Sequence, residues 1–373
     1  MGSLAAAARA GHLTLDGGGG QAVQHAAGPA PIPPQGACRT ARAGRYQRRR
    51  ATRGGLPSLK PLTSVHAAAV LSSGDIIIDR RYEWARESLA AGDLAGAIDL
   101  LEQLVARAPA YAPAWFMLGE AREQAGDRAG AAAAFDAAKA ADPADQQGAA
   151  VRLARLGARP PVAMPVGYIR ALFDGYAPGF DDALTGGLSY RAPDMLLYAV
   201  ARVCGGEMMR FENVLDLGCG TGLAGAAFRP FCARLAGVDL SRGMLTEARG
   251  KGIYDELVEA EAVTYLRAEA ERGAQYDLIL AADVFIYFHE LRQVPPVAAK
   301  ALKPGGMLAF TVETHDGDGV ILRDTLRYAH GAAHVRGALS LGGLEPLSLE
   351  PGAIRTEKGA PVPSLVVVAR KPG

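Results

Sequence analysis

The sequence predicts an α/β protein with a doubly wound, mostly parallel, seven-stranded sheet, preceded by an all-α repeat region. Three observations carry this. From Phe211 onward, short apolar runs bounded by turn residues alternate with helix-period segments, the pattern of a parallel sheet covered on both faces by crossover helices. The first of these runs ends in Gly218-Cys219-Gly220-Thr221-Gly222, a turn that opens a helix-like segment. Upstream, Gly92, Ala97, Leu101 and Pro109 recur 34 residues later as Gly126, Ala131, Phe135 and Pro143.

Four regions follow in order. Residues 1–74 are rich in Ala, Gly, Arg and Pro and lack sustained periodicity, so they cannot bury enough apolar surface to offset their ordering entropy and are expected to be disordered. The Arg content with almost no acid also fits an organelle transit peptide, and a true start further in, near Ser72, is a third reading. Residues 75–157 hold the helical repeats. Two units leave an apolar face open, so a capping helix around Gln147–Leu156, or the next domain, is expected to cover part of it. Residues 158–210 begin with the helix breakers Pro160, Pro161 and Pro165. They continue through Tyr168–Phe173, Tyr176, Phe180 and Leu184–Leu188 at three- and four-residue intervals, which predicts amphipathic helices forming a lid. Residues 211–373 form the α/β domain, with strands expected at 213–217, 235–240, 258–262, 276–281 and 307–312 and a closing hairpin near 347–349 and 364–369.

Composition narrows the function. The chain has 373 residues, 49% hydrophobic and 21% charged, with no apolar run long enough to span a bilayer, so no membrane partner is expected. Residues 1–74 hold nine Arg or Lys against one acid; from Asp75 onward the remaining 31 basic residues face 38 acidic ones. An acidic folded part argues against a nucleic-acid backbone as partner. Cys38, Cys204, Cys219 and Cys232 form no metal or disulfide pattern and fit a reducing, cytoplasmic setting. No metal is expected; His330 and His334, four apart and able to share a helix face, have no third ligand in view.

The turn after Leu217 carries the chemistry. Glycines there let a ligand approach backbone N–H groups at a helix start. The spacing, Asp216-x-Gly218-x-Gly220-x-Gly222, is not the dinucleotide fingerprint, whose third glycine lies three residues after the second. An acid two residues before the first glycine repels phosphate and suits a cationic ligand. S-adenosyl-L-methionine fits, since its sulfonium and ammonium groups are positive and it has no phosphate. Cys219 reads as a small filler of the loop. Asp239, 23 residues past Asp216 and followed by Leu240, is placed to accept from both ribose hydroxyls, or else caps the helix opening at Ser241. Glu261 and the adjoining Ala262 offer an acceptor and an edge for an adenine, with Glu259 as a competing choice and a solvated acid as the plain alternative. Asp283, at the carboxyl end of the fourth strand, is the catalytic candidate: it steers the acceptor, abstracts a proton, or orients the lid. His289 is a second candidate base. No N/D-P-P-Y/F tetrad follows Asp283, which speaks against nucleobase methylation.

At Asp216–Gly222 the chain resembles the class I S-adenosylmethionine-dependent methyltransferases. That resemblance implies a Rossmann-like methyltransferase fold, an adenine contact from Met244, and a turn role for Leu302-Lys303-Pro304-Gly305-Gly306. The repeats, with Trp115, Leu118 and Gly119 at the early positions of the second copy, resemble tetratricopeptide repeats. Together with Phe173-Asp174, Tyr176-Ala177, Phe180-Asp181, Tyr254–Leu257, Ala281–Val284 and Arg355–Val362, they resemble a group of bacterial tetratricopeptide-containing predicted methyltransferases. This implies a lid over the cofactor with Tyr176 or Phe180 above it, methyl transfer to a small-molecule or protein acceptor, and a protein partner on the repeats. A cofactor-binding adaptor without transfer activity is the alternative.

Overall fold

The structure, a computed structural model, describes residues 72–206 and 209–373. The expected disordered or targeting segment lies, up to residue 71, outside the described residues.

The repeat region is built from α1 (Ile76–Ala90), α2 (Leu94–Arg107), α3 (Ala112–Gln124) and α4 (Arg128–Ala141). The sequence repeat is a structural one: Asp93 and Asp127 each cap the second helix of a pair, accepting from Gly96 N at 2.9 Å and Gly130 N at 2.8 Å. The glycine before each cap is left-handed, with φ of 81° at Gly92 and 84° at Gly126. Leu101 and Phe135, at equivalent positions, are both fully buried. Gly119 lies so close beneath Phe135 that a Cβ would come within 2.5 Å of the ring, which explains the small residue there. A fifth helix, α5 (Ala149–Arg155), caps the stack. Asp145 holds its start by accepting from Ala149 N and Ala150 N, and Arg152 ion-pairs with Glu120 of α3. The far side of α5 meets the α/β region, where Val151 and Met164 pack with Leu326 and Tyr328. Of the two expected covers of the open repeat face, the capping helix is the one that packs on the repeats, and the α/β region packs on that helix in turn.

Next come α6 (Val166–Tyr176), the single turn α7 (Phe180–Asp182), a π-helical turn at Ala183–Gly187, and α8 (Ala192–Val203). The α/β region then runs β1 (Phe211–Leu217), α9 (Leu223–Phe228), β2 (Cys232–Asp239), α10 (Arg242–Lys251), β3 (Glu256–Glu259), α11 (Ala262–Glu271), β4 (Tyr276–Ala281), α12 (Val294–Ala301), β5 (Leu302–His315), β6 (Val320–Leu322), β7 (Tyr328–Gly331), α13 (Ala332–Leu341), β8 (Glu345–Glu357) and β9 (Ala360–Arg370). Strands β3, β2, β1, β4 and β5 lie side by side in parallel; β9 pairs antiparallel with β5, and β8 antiparallel with β9.

Strand alternation sends successive residues to opposite faces. Leu215, Ile279, Leu308 and Val367 pack with α11, α12 and α13, while Val214, Leu278, Ala309 and Val366 pack with α8 and α9. This is the doubly wound, mostly parallel arrangement that the alternating pattern predicts.

Three details differ from the sequence reading. The sheet has nine strands: β7 adds to the end of β5 and β6 pairs with β7. Both are short, and their pairing depends on the far end of β5, which no local pattern encodes. The third strand ends at Glu259 and not at Ala262, because Glu261 caps α11, accepting from Val263 N and Thr264 N. His330 and His334 do not share a helix: His330 is in β7 and His334 in α13, with their rings stacked at 5.6 Å. Among the described residues no helix is long and apolar enough to cross a membrane.

Candidate functional site

The carboxyl ends of β1, β2 and β4 face the lid formed by α6, α7 and the π-helical turn, and between them lies a cavity of about 540 Å³. Its volume is in the ordinary range for small-molecule sites. Of the residues singled out above, Tyr176, Asp216, Gly218, Cys219, Gly220, Asp239, Leu240, Met244, Glu261, Ala262, Asp283 and His289 all line it. Gly222 does not. It is the left-handed residue that starts α9, and its α-carbon backs onto Tyr254, so its role is to let the loop turn against that ring.

The loop is fixed by short-range geometry. Gly218 and Gly220 take φ of 68° and 54°; a Cβ on Gly218 would strike Val284 at 2.6 Å, whereas one on Gly220 would meet nothing within 4 Å. Cys219 N donates to Val238 O at 2.9 Å, tying the loop to β2. Burial pushes the Cys219 thiol well up, with the Asp216 and Asp239 charges adding to it, as expected of an inert filler. Asp239 reaches back to the loop: its Oδ2 accepts from Gly220 N and its Oδ1 from Ser241 N, each at 2.8 Å. The helix cap itself is Ser241, whose Oγ accepts from Met244 N at 3.0 Å. Asp239 is thus not a plain cap, and burial raises its carboxyl above the usual range.

Asp216 is fully buried at the end of β1. Its Oδ2 accepts from the Tyr254 hydroxyl at 2.7 Å and the nearby Gly225 N–H also favours the charged form, while Oδ1 makes no hydrogen bond of good geometry. Burial lifts its carboxyl to about 6, and the Tyr254 hydrogen bond opposes that rise. An orphaned acceptor of negative charge beside the glycine turn is the demand that a cationic ligand meets. The pH dependence has a definite sign. The folded pKa lies above that of the unfolded chain, so the linked stability is full below about pH 4 and is lost as pH rises through about 6. Asp216→Asn, which cannot ionise, should melt above wild type at about pH 8, with a gain of at most roughly 3 kcal/mol, and match it near pH 4. Melting curves at the two pH values check this; equal midpoints at the higher one would refute it.

The lid is fastened at two points. Asp174 Oδ1 accepts from Ser241 Oγ at 2.5 Å and Gly243 N at 3.0 Å, and Asp181 takes the Thr221 hydroxyl and, at 2.6 Å, the Lys251 ammonium. Sequence reading saw these acids only as lid residues. Phe173 packs edge-on against Tyr287 at 5.4 Å and against Phe180 at 6.2 Å, which closes the roof. Burial raises the Tyr176 hydroxyl to about 12.

Beyond the loop, Asp283 adopts φ of 61° and its N–H donates to Thr311 Oγ1 at 2.8 Å. Its Oδ2 accepts from Arg355 NH1 at 2.6 Å; its Oδ1 has no partner. Arg355 also donates through Nε to Glu357 at 2.9 Å and pairs with Glu313, while Arg327 bridges Glu313 at 2.6 Å and Glu357. Burial alone would raise Glu357, but Arg327 and Arg355 hold its carboxyl below the usual range. Arg327, Arg355, Glu313 and Glu357 form a buried network that sequence reading missed. Arg355 and Glu357 stand in a motif noted above and pair with each other, yet their further partners, Asp283, Glu313 and Arg327, lie 30 to 72 residues away. His289 lines the cavity edge-on to Tyr328 at 5.3 Å; His330 is buried away from it, with its pKa lowered to about 4 by burial.

Residues 215–308 match the family described as a methyltransferase domain, and residues 88–156 match the tetratricopeptide repeat. This chain carries a methyltransferase domain behind tetratricopeptide repeats. The cofactor of such a domain is S-adenosyl-L-methionine. The chain is 34% identical over 107 residues to the malonyl-[acyl-carrier protein] O-methyltransferase of Enterobacter lignolyticus, spanning 29% of this chain and 41% of that protein. It is 31% identical over 101 residues to the ubiquinone biosynthesis O-methyltransferase of Bordetella avium, spanning 27% and 42%. The chain thus spans about two fifths of the length of these relatives. Among solved structures, it is similar to the N-methyltransferase NodS of Bradyrhizobium japonicum in complex with S-adenosyl-L-homocysteine, at 20% identity and TM-score 0.38, over 48% of this chain and 87% of that one.

Proposed function

We propose that the protein transfers the methyl group of S-adenosyl-L-methionine to an oxygen of a small-molecule acceptor held under the lid, with the repeats serving to dock a protein partner. The observation that carries this is the Asp239 carboxylate, bonded to the glycine loop through Gly220 N and bordering the same cavity as Asp216, whose Oδ1 makes no hydrogen bond, and Asp283. When bound, the cofactor supplies an electrophilic methyl on a positively charged sulfur. The chain's own residues do the rest. Asp239 receives the ribose hydroxyls and Asp216 offsets the ligand's positive charge. Met244 and the Glu261-Ala262 edge take the adenine, Glu261 keeping acceptor capacity beyond its capping bonds. The lid excludes water and Asp283 orients the acceptor; orientation alone can lower a barrier by roughly 7–11 kcal/mol.

The two relatives named as O-methyltransferases support oxygen as the receiving atom. Cys219 and Cys232, neither of them in a disulfide, support a cytoplasmic setting, and the excess of acids over bases from Asp75 onward speaks against a nucleic-acid substrate. Calorimetry with S-adenosyl-L-homocysteine, followed by incubation with labelled S-adenosyl-L-methionine and a small-molecule cell extract, tests the reading. Cofactor binding with label entering an extractable small molecule is the expected result. Tight binding with no transfer to any fraction would favour a cofactor-binding adaptor.

A further inference from the structure

The acceptor end of the cavity differs in chemistry from the cofactor end. Its walls are rings and aliphatic chains: Phe173, Phe180, Tyr190, Leu188, Ile286 and Tyr287. Among the polar groups that line the cavity, which also include His289, Glu290 and Gln293, Asp283, Arg327 and Arg355 belong to one cluster of joined charges. Two guanidiniums in a cavity wall would ordinarily point to an anionic ligand. Their charge, however, is already taken. Arg327 and Arg355 face three carboxylates, Glu313, Glu357 and Asp283, and the more exposed Arg323 adds one positive charge at 3.1 Å from Glu313 Oε2. The cluster is neutral, with no surplus to hold a carboxylate or phosphate. A cation is disfavoured too, because Arg355 stands 2.6 Å from the carboxylate it would seek. What the cluster lacks is a hydrogen-bond donor, since Asp283 Oδ1 is buried without a partner.

We infer that the acceptor is an uncharged, ring-bearing molecule whose hydroxyl donates to Asp283, with Arg355 as the positioning residue that holds that carboxylate. This rests on the methyl-transfer reading and narrows it to a substrate class. Aromatic walls favour flat rings through edge and face contacts, and a neutral hydroxyl completes Asp283 without disturbing the balanced charges. Arg355 can fix Asp283 because its fork is itself held by Glu313 and Glu357.

The test uses naphthol, naphthalene, methoxynaphthalene and naphthoate as probes, titrated into the full chain with and without saturating S-adenosyl-L-homocysteine. Naphthol is expected to bind at least about tenfold more tightly than the other three, since a hydrogen bond to a charged group is at stake. In Asp283→Asn, Arg355 should draw the amide oxygen and turn the NH2 toward the ligand, so the preference for naphthol over methoxynaphthalene should vanish while S-adenosyl-L-homocysteine binding stays. The wild-type comparison of naphthol with methoxynaphthalene decides the matter even if that variant does not fold. Tighter binding of naphthoate, or equal binding of naphthol and methoxynaphthalene, overturns the inference. Failure to bind S-adenosyl-L-homocysteine strikes the methyl-transfer reading instead, and the cofactor-free titration still judges this one.

Discussion

Asp239→Ala protein is expected to lose about a hundredfold or more in affinity for S-adenosyl-L-homocysteine while still unfolding in one cooperative transition. Two ribose hydroxyls donating to one carboxylate contribute roughly 1.5–3 kcal/mol each, and every 1.4 kcal/mol is about a factor of ten. The fold should survive because the helix start at α10 is capped by Ser241 and not by Asp239. Gly220 N and Ser241 N lose their acceptor; Gly220 lines the cavity, where water can replace it, whereas Ser241 is fully buried, so a lowered melting midpoint is expected beside the lost affinity. Isothermal calorimetry on both proteins measures the affinity, and a melting curve checks the fold. An affinity within about threefold of wild type would remove Asp239 from the site and, with it, the main support for the proposed function.

The second large effect is on stability. Arg355→Met should lower the melting temperature by on the order of 10 °C. Arg355 has 2% of its side chain exposed and faces Glu313 at 0%, Asp283 at 16% and Glu357 at 21%. Removing one partner of a buried ion network strands the others without solvent, which costs about 3–5 kcal/mol, and each kcal/mol shifts the midpoint by roughly 2–4 °C in a protein of this size. Arg355→Lys keeps the charge but cannot reach three carboxylates at once, so it should fall between the two. Arg202→Met supplies the contrast: its pair with Glu350 is 54% and 41% exposed, so its loss should cost less than about 1 kcal/mol. Thermal unfolding followed by circular dichroism separates them. If Arg355→Met melted no lower than Arg202→Met, the network would not be a source of stability.

Much of the fold is legible from local pattern. The second helix of each repeat starts at an Asp that follows a glycine, a cap that short-range hydrogen bonding dictates wherever it occurs. The parallel strands are apolar runs because both of their faces are covered. The short strands β6 and β7 are different. Their few residues gain their conformation only from pairing with the end of β5, and β-propensity is decided by such neighbours more than by the residues themselves. The same limit explains the third strand: Glu261 reads equally well as a strand end or a cap until the backbone turn beneath it is seen.

The site divides in the same way. A glycine turn, the acid before it and the acid after the next strand are legible because backbone geometry ties them to fixed spacings: Asp216, Gly218, Gly220 and Asp239 come from two adjacent strand ends, β1 and β2, that pair in register. Gly222 shows where that logic overreaches, since the same glycine pattern lines the cavity at Gly218 and Gly220 and backs onto a packed tyrosine at Gly222. Asp283 could be placed at the cavity by its strand end, but its partner Arg355 could not.

From its own order of residues, then, the chain determines which segments become helix and strand, where they are capped and turned, and which short stretches present backbone donors to a ligand. All of these are set by interactions among near neighbours. Only the tertiary structure decides that Arg355 grips Asp283, that Arg327 and Arg355 are neutralised by Glu313 and Glu357, and that the lid acids Asp174 and Asp181 latch onto α10 and the glycine loop. Most of those contacts join residues tens of positions apart, and burial is what makes them strong: the same charges left in water would scarcely feel one another.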